Sequence, residues 1–132
     1  MTLKSIRGIV AGTGFEGRAA RIRRFCGNGA EIDLRREPHN PHDAEAIGVW
    51  MRCSIFFGLW KPWAMIGYIQ ADRADHLAPR LDSGEYKLVR AYVKSFYAPP
   101  DVNHPRVSVE IEVDVNDPAK KTRAKKAGPR LA

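Results

Sequence analysis

The chain has 132 residues and 44% apolar content, which suits one globular domain and excludes a second core of ordinary size. Its formal net charge of +7 indicates a polyanionic partner, with nucleic acid favoured over an anionic membrane surface. Two cysteines, Cys26 and Cys53, are too few for a disulfide framework and favour a reducing, cytoplasmic location.

The first third of the chain predicts two strands around a helix. β-branched residues predict a strand over residues 4–10, and three glycines in the following segment predict a turn over 12–17. Apolar side chains spaced by three predict a short helix over 18–25. Alternation of apolar and charged residues then predicts a half-buried strand over 30–36.

The middle of the chain predicts two strands with unusual connections. Prolines make residues 37–43 an ordered loop, and strands are predicted over 46–52 and 64–69. The connection over 53–63 is apolar and contains Phe56, Phe57, Trp60 and Trp63. These side chains either dock a protein partner, if they form an exposed patch, or belong to the core. The core interpretation is favoured for Phe56, Phe57 and Trp50.

The last elements are a helix and two long strands. Apolar residues on one face predict a helix over 70–81, whose last turn Pro79 weakens. Strict alternation predicts strands over 86–97 and 106–115. Six strands and two short helices, without a strand–helix–strand rhythm, predict a mainly β protein in which an antiparallel sheet curls into a small barrel.

Residues 116–132 are predicted to be a disordered tail beyond a folded domain of residues 1–115. The tail has six basic residues against one acidic residue, Asp117, so its formal charge is +5 and the domain carries only +2. The tail is either a solvated terminus or an arm that adds phosphate contacts. No signal-peptide core is present, and the longest apolar run is too short to cross a bilayer.

Two motifs suggest small ligands but have simpler interpretations. Gly12-x-Gly14-x-x-Gly17 has the form of a dinucleotide fingerprint, yet the antiparallel pattern that follows favours a structural turn. His39 and His42 have a spacing that suggests a metal, but Pro38 and Pro41 exclude a helix and favour ordinary polar loop residues. We therefore expect no cofactor and no metal.

No pattern identifies an enzyme. The serines lie in no nucleophile elbow, and the acidic residues are scattered over strand faces. Basic residues interleaved with aromatic residues instead favour nucleic-acid binding, because unpaired bases stack on rings and basic groups hold phosphates. For Phe15 and Tyr68, exposure and burial are equally compatible with the pattern. The main residues of this type are Phe15, Arg35, Arg36, Tyr68, Arg90, Tyr92, Lys94 and Tyr97.

Residues 36–47 have the sequence Arg-Glu-Pro-His-Asn-Pro-His-Asp-Ala-Glu-Ala-Ile, followed by Ile66-Gly67-Tyr68 and an alanine-rich segment that ends near Leu81. This combination resembles the HIRAN family over about residues 5–115. The resemblance implies an OB-like six-stranded barrel with two short helices. It also implies recognition of single-stranded DNA with a free 3′-hydroxyl, in DNA repair or replication-fork processing; bacterial members include small stand-alone proteins.

The resemblance also implies roles for individual residues. Asp43 matches the acid that accepts a hydrogen bond from the terminal hydroxyl, and His42 occupies the neighbouring tyrosine position. Phe15 matches an aromatic residue that stacks on the terminal base. Backbone contacts are implied for Tyr68 and for Arg73 on the following helix. The complete set of DNA-binding candidates is Phe15, Arg36, His42, Asp43, Tyr68 and Arg73.

Some positions depart from the family pattern, and alternatives remain open. Thr13 and Gly14 replace a basic and an aromatic residue, and Ala71 replaces a lysine. Asp43 has a structural alternative, since an Asp in such a loop often bonds its own backbone amides. The alternative function is a protein-interaction adaptor whose tail binds nucleic acid nonspecifically.

Overall fold

The computed structural model describes residues 2–15 and 17–115. This part of the chain contains one six-stranded sheet and two α-helices. The strands are β1 (Leu3–Ala11), β2 (Ile32–Arg36), β3 (Ile47–Arg52), β4 (Trp63–Ile69), β5 (Tyr86–Tyr97) and β6 (Arg106–Val115). The helices are α1 (Arg18–Phe25) and α2 (Ala71–Ser83). The predicted tail, residues 116–132, lies outside the described residues.

The sheet has the order β2-β3-β4-β1-β6-β5, and every pair of neighbouring strands is antiparallel. Its two end strands approach each other at the bridge between Glu31 and Tyr92. Beside this bridge, Gly29 N donates to Val93 O at 2.7 Å, and Val93 N donates to Ala30 O at 2.9 Å. The mainly β prediction is confirmed, but the barrel is incomplete because no continuous ladder joins β2 to β5.

The core is formed by the inward faces of the strands and by one face of each helix. Alternate side chains of β6 are fully buried, as the period of two requires (Val107, Val109, Ile111 and Val113). Ile22 of α1 and Leu77 of α2 are also completely buried. Helix α2 continues two residues beyond the predicted end, because the left-handed turn that ends it occurs at Gly84, with φ of 82°.

The connection between β3 and β4 forms a hairpin tip, residues 55–60, with a bridge between Ile55 and Trp60. Phe57 is fully exposed and Phe56 is 66% exposed, so the core interpretation is wrong for both. Leu59 and Trp60 of the tip are also exposed, so the tip as a whole lies outside the core. Trp50, by contrast, is half-buried. Neither described helix is long and apolar enough to cross a membrane.

Candidate nucleic-acid interface

One cavity lies where the end of β1, the loop 37–46, the end of β4 and the start of α2 meet. Its volume is about 540 Å³. Four of the six predicted DNA-binding residues, Phe15, His42, Asp43 and Tyr68, line it, and we call it the loop pocket. Arg18 and Asn40 are the other polar residues in its wall.

Asn40 organises the loop that forms one wall of the pocket. Its Oδ1 accepts hydrogen bonds from the backbone N–H of His42 at 2.9 Å and of Asp43 at 3.2 Å. Its Nδ2 donates to Glu37 Oε1 at 2.9 Å. This is an Asx turn, in which a side chain replaces backbone partners and fixes the loop without a helix or strand.

Asp43 has one engaged carboxylate oxygen. Oδ1 accepts a hydrogen bond from the backbone N–H of Glu45 at 2.9 Å, as the structural alternative predicts. Oδ2 has no hydrogen-bond donor within residues 2–15 and 17–115. The half-buried carboxylate also lines the loop pocket, so Asp43 stabilises the loop with one oxygen and leaves the other available for a ligand.

Tyr68 contributes its ring to the pocket, while its hydroxyl is engaged by the protein. The hydroxyl donates to Glu37 Oε1 at 3.0 Å. Burial and the Glu37 carboxylate raise the pKa of Tyr68 above its usual value of 10.0. The phenol thus remains protonated and directed at Glu37, which leaves the ring face, rather than the hydroxyl proton, as its contribution to binding.

Phe15 lies at the rim of the pocket, where it is 62% exposed. The glycine-rich loop that presents it is anchored on the loop 98–105. Thr13 is buried, and its hydroxyl donates to Pro105 O at 2.7 Å. A Cβ added at Gly14 would overlap the imidazole of His104, so the two loops are packed closely there. Phe15 is therefore an exposed aromatic ring on a loop that contacts with the loop 98–105 hold in position.

Arg36 and Arg73 lie outside the lining of the pocket. Arg36 makes a two-point contact with Asp82, both N–O distances being 2.8 Å. It also donates to Ala46 O at 2.7 Å and to Ala44 O at 2.9 Å. Arg36 thus joins the loop 37–46 to the end of α2, and its donors face protein acceptors. Arg73 is exposed on the first turn of α2.

Arg18 is a pocket residue that the sequence analysis missed. It is only 7% exposed, and it donates to Gly12 O at 2.9 Å. Its guanidinium also lies over the ring of Tyr68, 5.6 Å from the ring centroid. A cation at the first position of a helix is unfavourable with respect to the helix dipole. That unfavourable position was the available signal that Arg18 has tertiary partners instead of solvent.

The glycine-rich segment and the pair His39 and His42 are the two motifs that suggested small ligands. The glycine-rich segment joins β1 to α1, but a dinucleotide-binding unit requires parallel strands, and this sheet is antiparallel. Across the described ranges, no three His, Cys, Asp or Glu side chains lie close enough together to hold a metal ion. His42 instead lines the loop pocket, and His39 is exposed.

Comparison with known proteins establishes the family. The HIRAN domain model matches residues 3–116. The chain belongs to the HIRAN domain family. HIRAN domains are known as DNA-binding domains, and the loop pocket is the cavity that brings most of the predicted DNA-binding residues together.

Solved structures support the HIRAN fold. The HIRAN domain of human HLTF matches with a TM-score of 0.61 and 20% identity, over 97% of this chain and 92% of that chain. A protein from Lactobacillus plantarum matches with a TM-score of 0.58 and 20% identity, over 86% of this chain and 100% of that chain. No curated protein matches significantly in sequence. At these identities the structures establish the OB-like fold alone.

Proposed function

We propose that this HIRAN domain binds the 3′ end of single-stranded DNA in the loop pocket and selects a free 3′-hydroxyl. It acts by binding alone, without catalysis and without a cofactor. The strand ends that it recognises are those that arise in DNA repair and in replication-fork processing.

The observation that carries this proposal is the position of Asp43 Oδ2. It has no donor among the described residues and belongs to a half-buried carboxylate in the pocket wall. A carboxylate accepts a hydrogen bond from a hydroxyl and repels a phosphate, so it favours a strand end over an internal nucleotide. Asp43 Oδ1 is fixed by Glu45 N, which holds the second oxygen in position.

Three neighbouring side chains support binding of a terminal nucleotide. The exposed ring of Phe15 and the ring of Tyr68 offer faces on which a base can stack. Arg18 supplies positive charge beside Tyr68, within reach of a strand that enters the pocket. Together with Asp43, these residues match the three parts of a strand end: base, phosphate and hydroxyl.

The test compares short single strands that end in a 3′-hydroxyl or a 3′-phosphate. Wild type should prefer the hydroxyl about tenfold or more, since a hydrogen bond to a charged group contributes about 1.5–3 kcal/mol. Asp43→Asn should lose most of that preference. This variant keeps an oxygen acceptor for Glu45 N, so the loop stays intact and a change in preference reports the lost charge.

A control removes the electrostatic contribution of the tail. A chain that ends at Val115 should bind more weakly but keep the same preference for the 3′-hydroxyl. Equal affinity of wild type for both ends, with binding lost when residues 116–132 are removed, would refute the proposal. Nonspecific attraction by the tail would then account for all binding.

The hairpin tip supports a second candidate function, an adaptor that docks a protein partner. Phe57 and Leu59 are almost completely exposed, and Phe56 stacks on Trp60 with ring centroids 6.3 Å apart. Trp63, which the sequence analysis grouped with them, is half-buried at the start of β4. A Phe57→Ser, Leu59→Ser double variant should lose a partner that wild type retains in a pull-down. Identical recovery by both forms would contradict this function.

A further inference from the structure

The outward face of β2, β3 and β4 has aromatic rings that continue from the loop pocket. Trp50 lies across from Met65, and Arg52 lies across from Trp63, on the same face as Tyr68. The side chains between them in sequence, Val49 and Met51, are fully buried on the opposite face. The rings of Tyr68, Trp50 and Trp63 are therefore arranged from the pocket towards the hairpin tip, and we call them the ring ladder.

Each ring of the ladder has an arginine over it. The guanidinium carbon of Arg35 lies 4.3 Å from the centroid of Trp50, and that of Arg52 lies 4.9 Å from the centroid of Trp63. Within the pocket, the guanidinium carbon of Arg18 lies 5.6 Å from the centroid of Tyr68. A cation–π interaction holds a guanidinium above an aromatic ring.

Arg35 and Arg52 remain accessible, whereas Arg18 is buried in the pocket wall. The side chain of Arg35 is 42% exposed, and Arg52 is exposed at the end of β3. Unpaired bases stack on arginine planes as well as on aromatic rings, and the positive charge attracts the strand that carries them. The pairs Arg35–Trp50 and Arg52–Trp63 thus have the composition of two successive base platforms.

We infer that the ring ladder is the binding track for the nucleotides on the 5′ side of the strand end. This inference rests on the proposed function, because the pocket sets which end of the strand lies at Tyr68. From Tyr68 to Trp63 the strand β4 spans about 17 Å, at about 3.3 Å per residue. That length accommodates about three to five nucleotides, depending on how far the DNA is extended.

Acidic residues on the same face set the orientation of the strand. Asp33 accepts from Arg35 Nε at 3.1 Å, and Glu37 accepts from Tyr68. Carboxylates repel phosphates and accept hydrogen bonds from base amino groups. The bases therefore face the ladder, and the phosphates lie towards solvent. This orientation also excludes a duplex, whose bases are paired and unavailable for stacking.

The experiment measures affinity as a function of strand length. Oligodeoxycytidylates of two, four, six and eight nucleotides, all with a 3′-hydroxyl, are titrated by calorimetry into the full chain. Wild-type affinity should rise by about tenfold or more between two and six nucleotides and then level off. Arg35→Gln and Arg52→Gln should each flatten this rise and leave the affinity for the dinucleotide unchanged.

Two further variants define what the arginines do. Arg52→Lys keeps the charge and loses the plane, so it should resemble Arg52→Gln; wild-type behaviour would refute stacking on the guanidinium. Arg7→Gln is the matched control, since Arg7 is an exposed arginine on β1. Its Nε lies 3.9 Å from Glu110 Oε2. It should leave the length dependence intact.

The outcomes separate the track from the end pocket. A wild-type affinity that does not change with length, or track variants that behave like Arg7→Gln, would overturn the track even if the dinucleotide still prefers a 3′-hydroxyl. A length dependence that disappears in the track variants, with no preference for a 3′-hydroxyl over a 3′-phosphate, would support the track and refute the end pocket.

Discussion

Asp43 uses its two carboxylate oxygens for different purposes. Oδ1 closes the turn through Glu45 N, and Oδ2 of the same pocket-lining carboxylate has no donor among the described residues. One residue thus couples the shape of the loop to the proposed recognition of a hydroxyl. For this reason Asp43→Ala changes the loop and the charge together, whereas Asp43→Asn separates them.

The exposed ring of Phe15 leads to a prediction about affinity. Phe15→Ala should weaken binding of a 3′-hydroxyl dinucleotide about tenfold, because loss of one base-stacking ring reduces binding by about 1–3 kcal/mol. The melting temperature should change little, since the ring is mostly exposed. Phe57→Ala removes a fully exposed ring at the hairpin tip and should leave dinucleotide affinity unchanged. Equal effects of the two substitutions would show that the terminal base does not stack on Phe15.

Single residues differ in how far the sequence predicts their surroundings. The sequence motif around Asp43 predicts the turn, because Asn-Pro and Asp have strong local preferences. The ligand-binding role of Asp43 is implied by the family resemblance and remains a prediction. Arg36 lies in the same motif, yet its main partner is Asp82, which is 46 positions away. No local pattern encodes that distance, so a residue grouped with the DNA contacts lies in an intramolecular ion pair.

At the scale of elements, the Arg36–Asp82 pair joins the loop 37–46 to α2. The guanidinium of Arg36 holds the pKa of Asp82 below its usual value of 3.8. A lowered pKa in the folded state means that the pair stabilises the fold above the usual pKa and loses this effect as the pH falls through the lowered value. The carboxylate is half exposed, so solvent screens the interaction.

We expect Asp82→Asn to reduce the free energy of unfolding by at most about 1 kcal/mol at neutral pH. The difference from wild type should shrink as the pH falls through the lowered pKa of Asp82, because the wild-type carboxyl then also becomes neutral. Urea unfolding of wild type and Asp82→Asn at neutral and at acidic pH measures the difference in their free energies of unfolding. A difference that is the same at both pH values would show that the ion pair is not its cause.

The contact between β1 and β4 depends on a glycine. Gly67 has φ of 154°, and a Cβ added there would overlap the carbonyl oxygen of Ala11. Gly67→Ala should therefore reduce the free energy of unfolding by about 3 kcal/mol or more, from backbone strain and overlap together. Gly84→Ala is the control, because Gly84 also has a positive φ but has open space around it. Its loss should be about 1–2 kcal/mol, measured in the same urea titrations.

Elements were predictable where one local pattern dominates. Helix α1 and strands β5 and β6 have the predicted bounds. The apolar period is regular in β6, whereas β5 keeps its bounds despite two register shifts. The hairpin tip shows the limit of this approach. The apolar composition of residues 55–60 predicts a buried segment, yet Phe56, Phe57 and Leu59 are exposed at the tip. Composition alone does not show whether a hairpin tip packs on the rest of the protein.

For the whole molecule, the sequence indicates the class of sheet but not its closure. Alternation identifies six strands, and the lack of crossover helices makes them antiparallel. Whether β2 joins β5 depends on the curvature accumulated over the sheet, and the bulges in β3–β4 and β5–β6 contribute to it. The result is a curled sheet whose ends meet at one bridge, with the pocket and the ring ladder on the β2–β4 half.

Charge at the scale of the whole chain leads to the last prediction. Residues 116–132 carry a formal +5 of the total +7, so the folded domain by itself is nearly neutral. If the tail contacts phosphates, ending the chain at Val115 should reduce the slope of log affinity against log salt by up to about 4, at about 0.7 per neutralised phosphate of a single strand. The preference for a 3′-hydroxyl should not change, because it arises in the loop pocket. A full-length chain with the six basic tail residues replaced by glutamine is the matched control and should give the same reduced slope. An unchanged slope in both forms would place every phosphate contact on the folded domain.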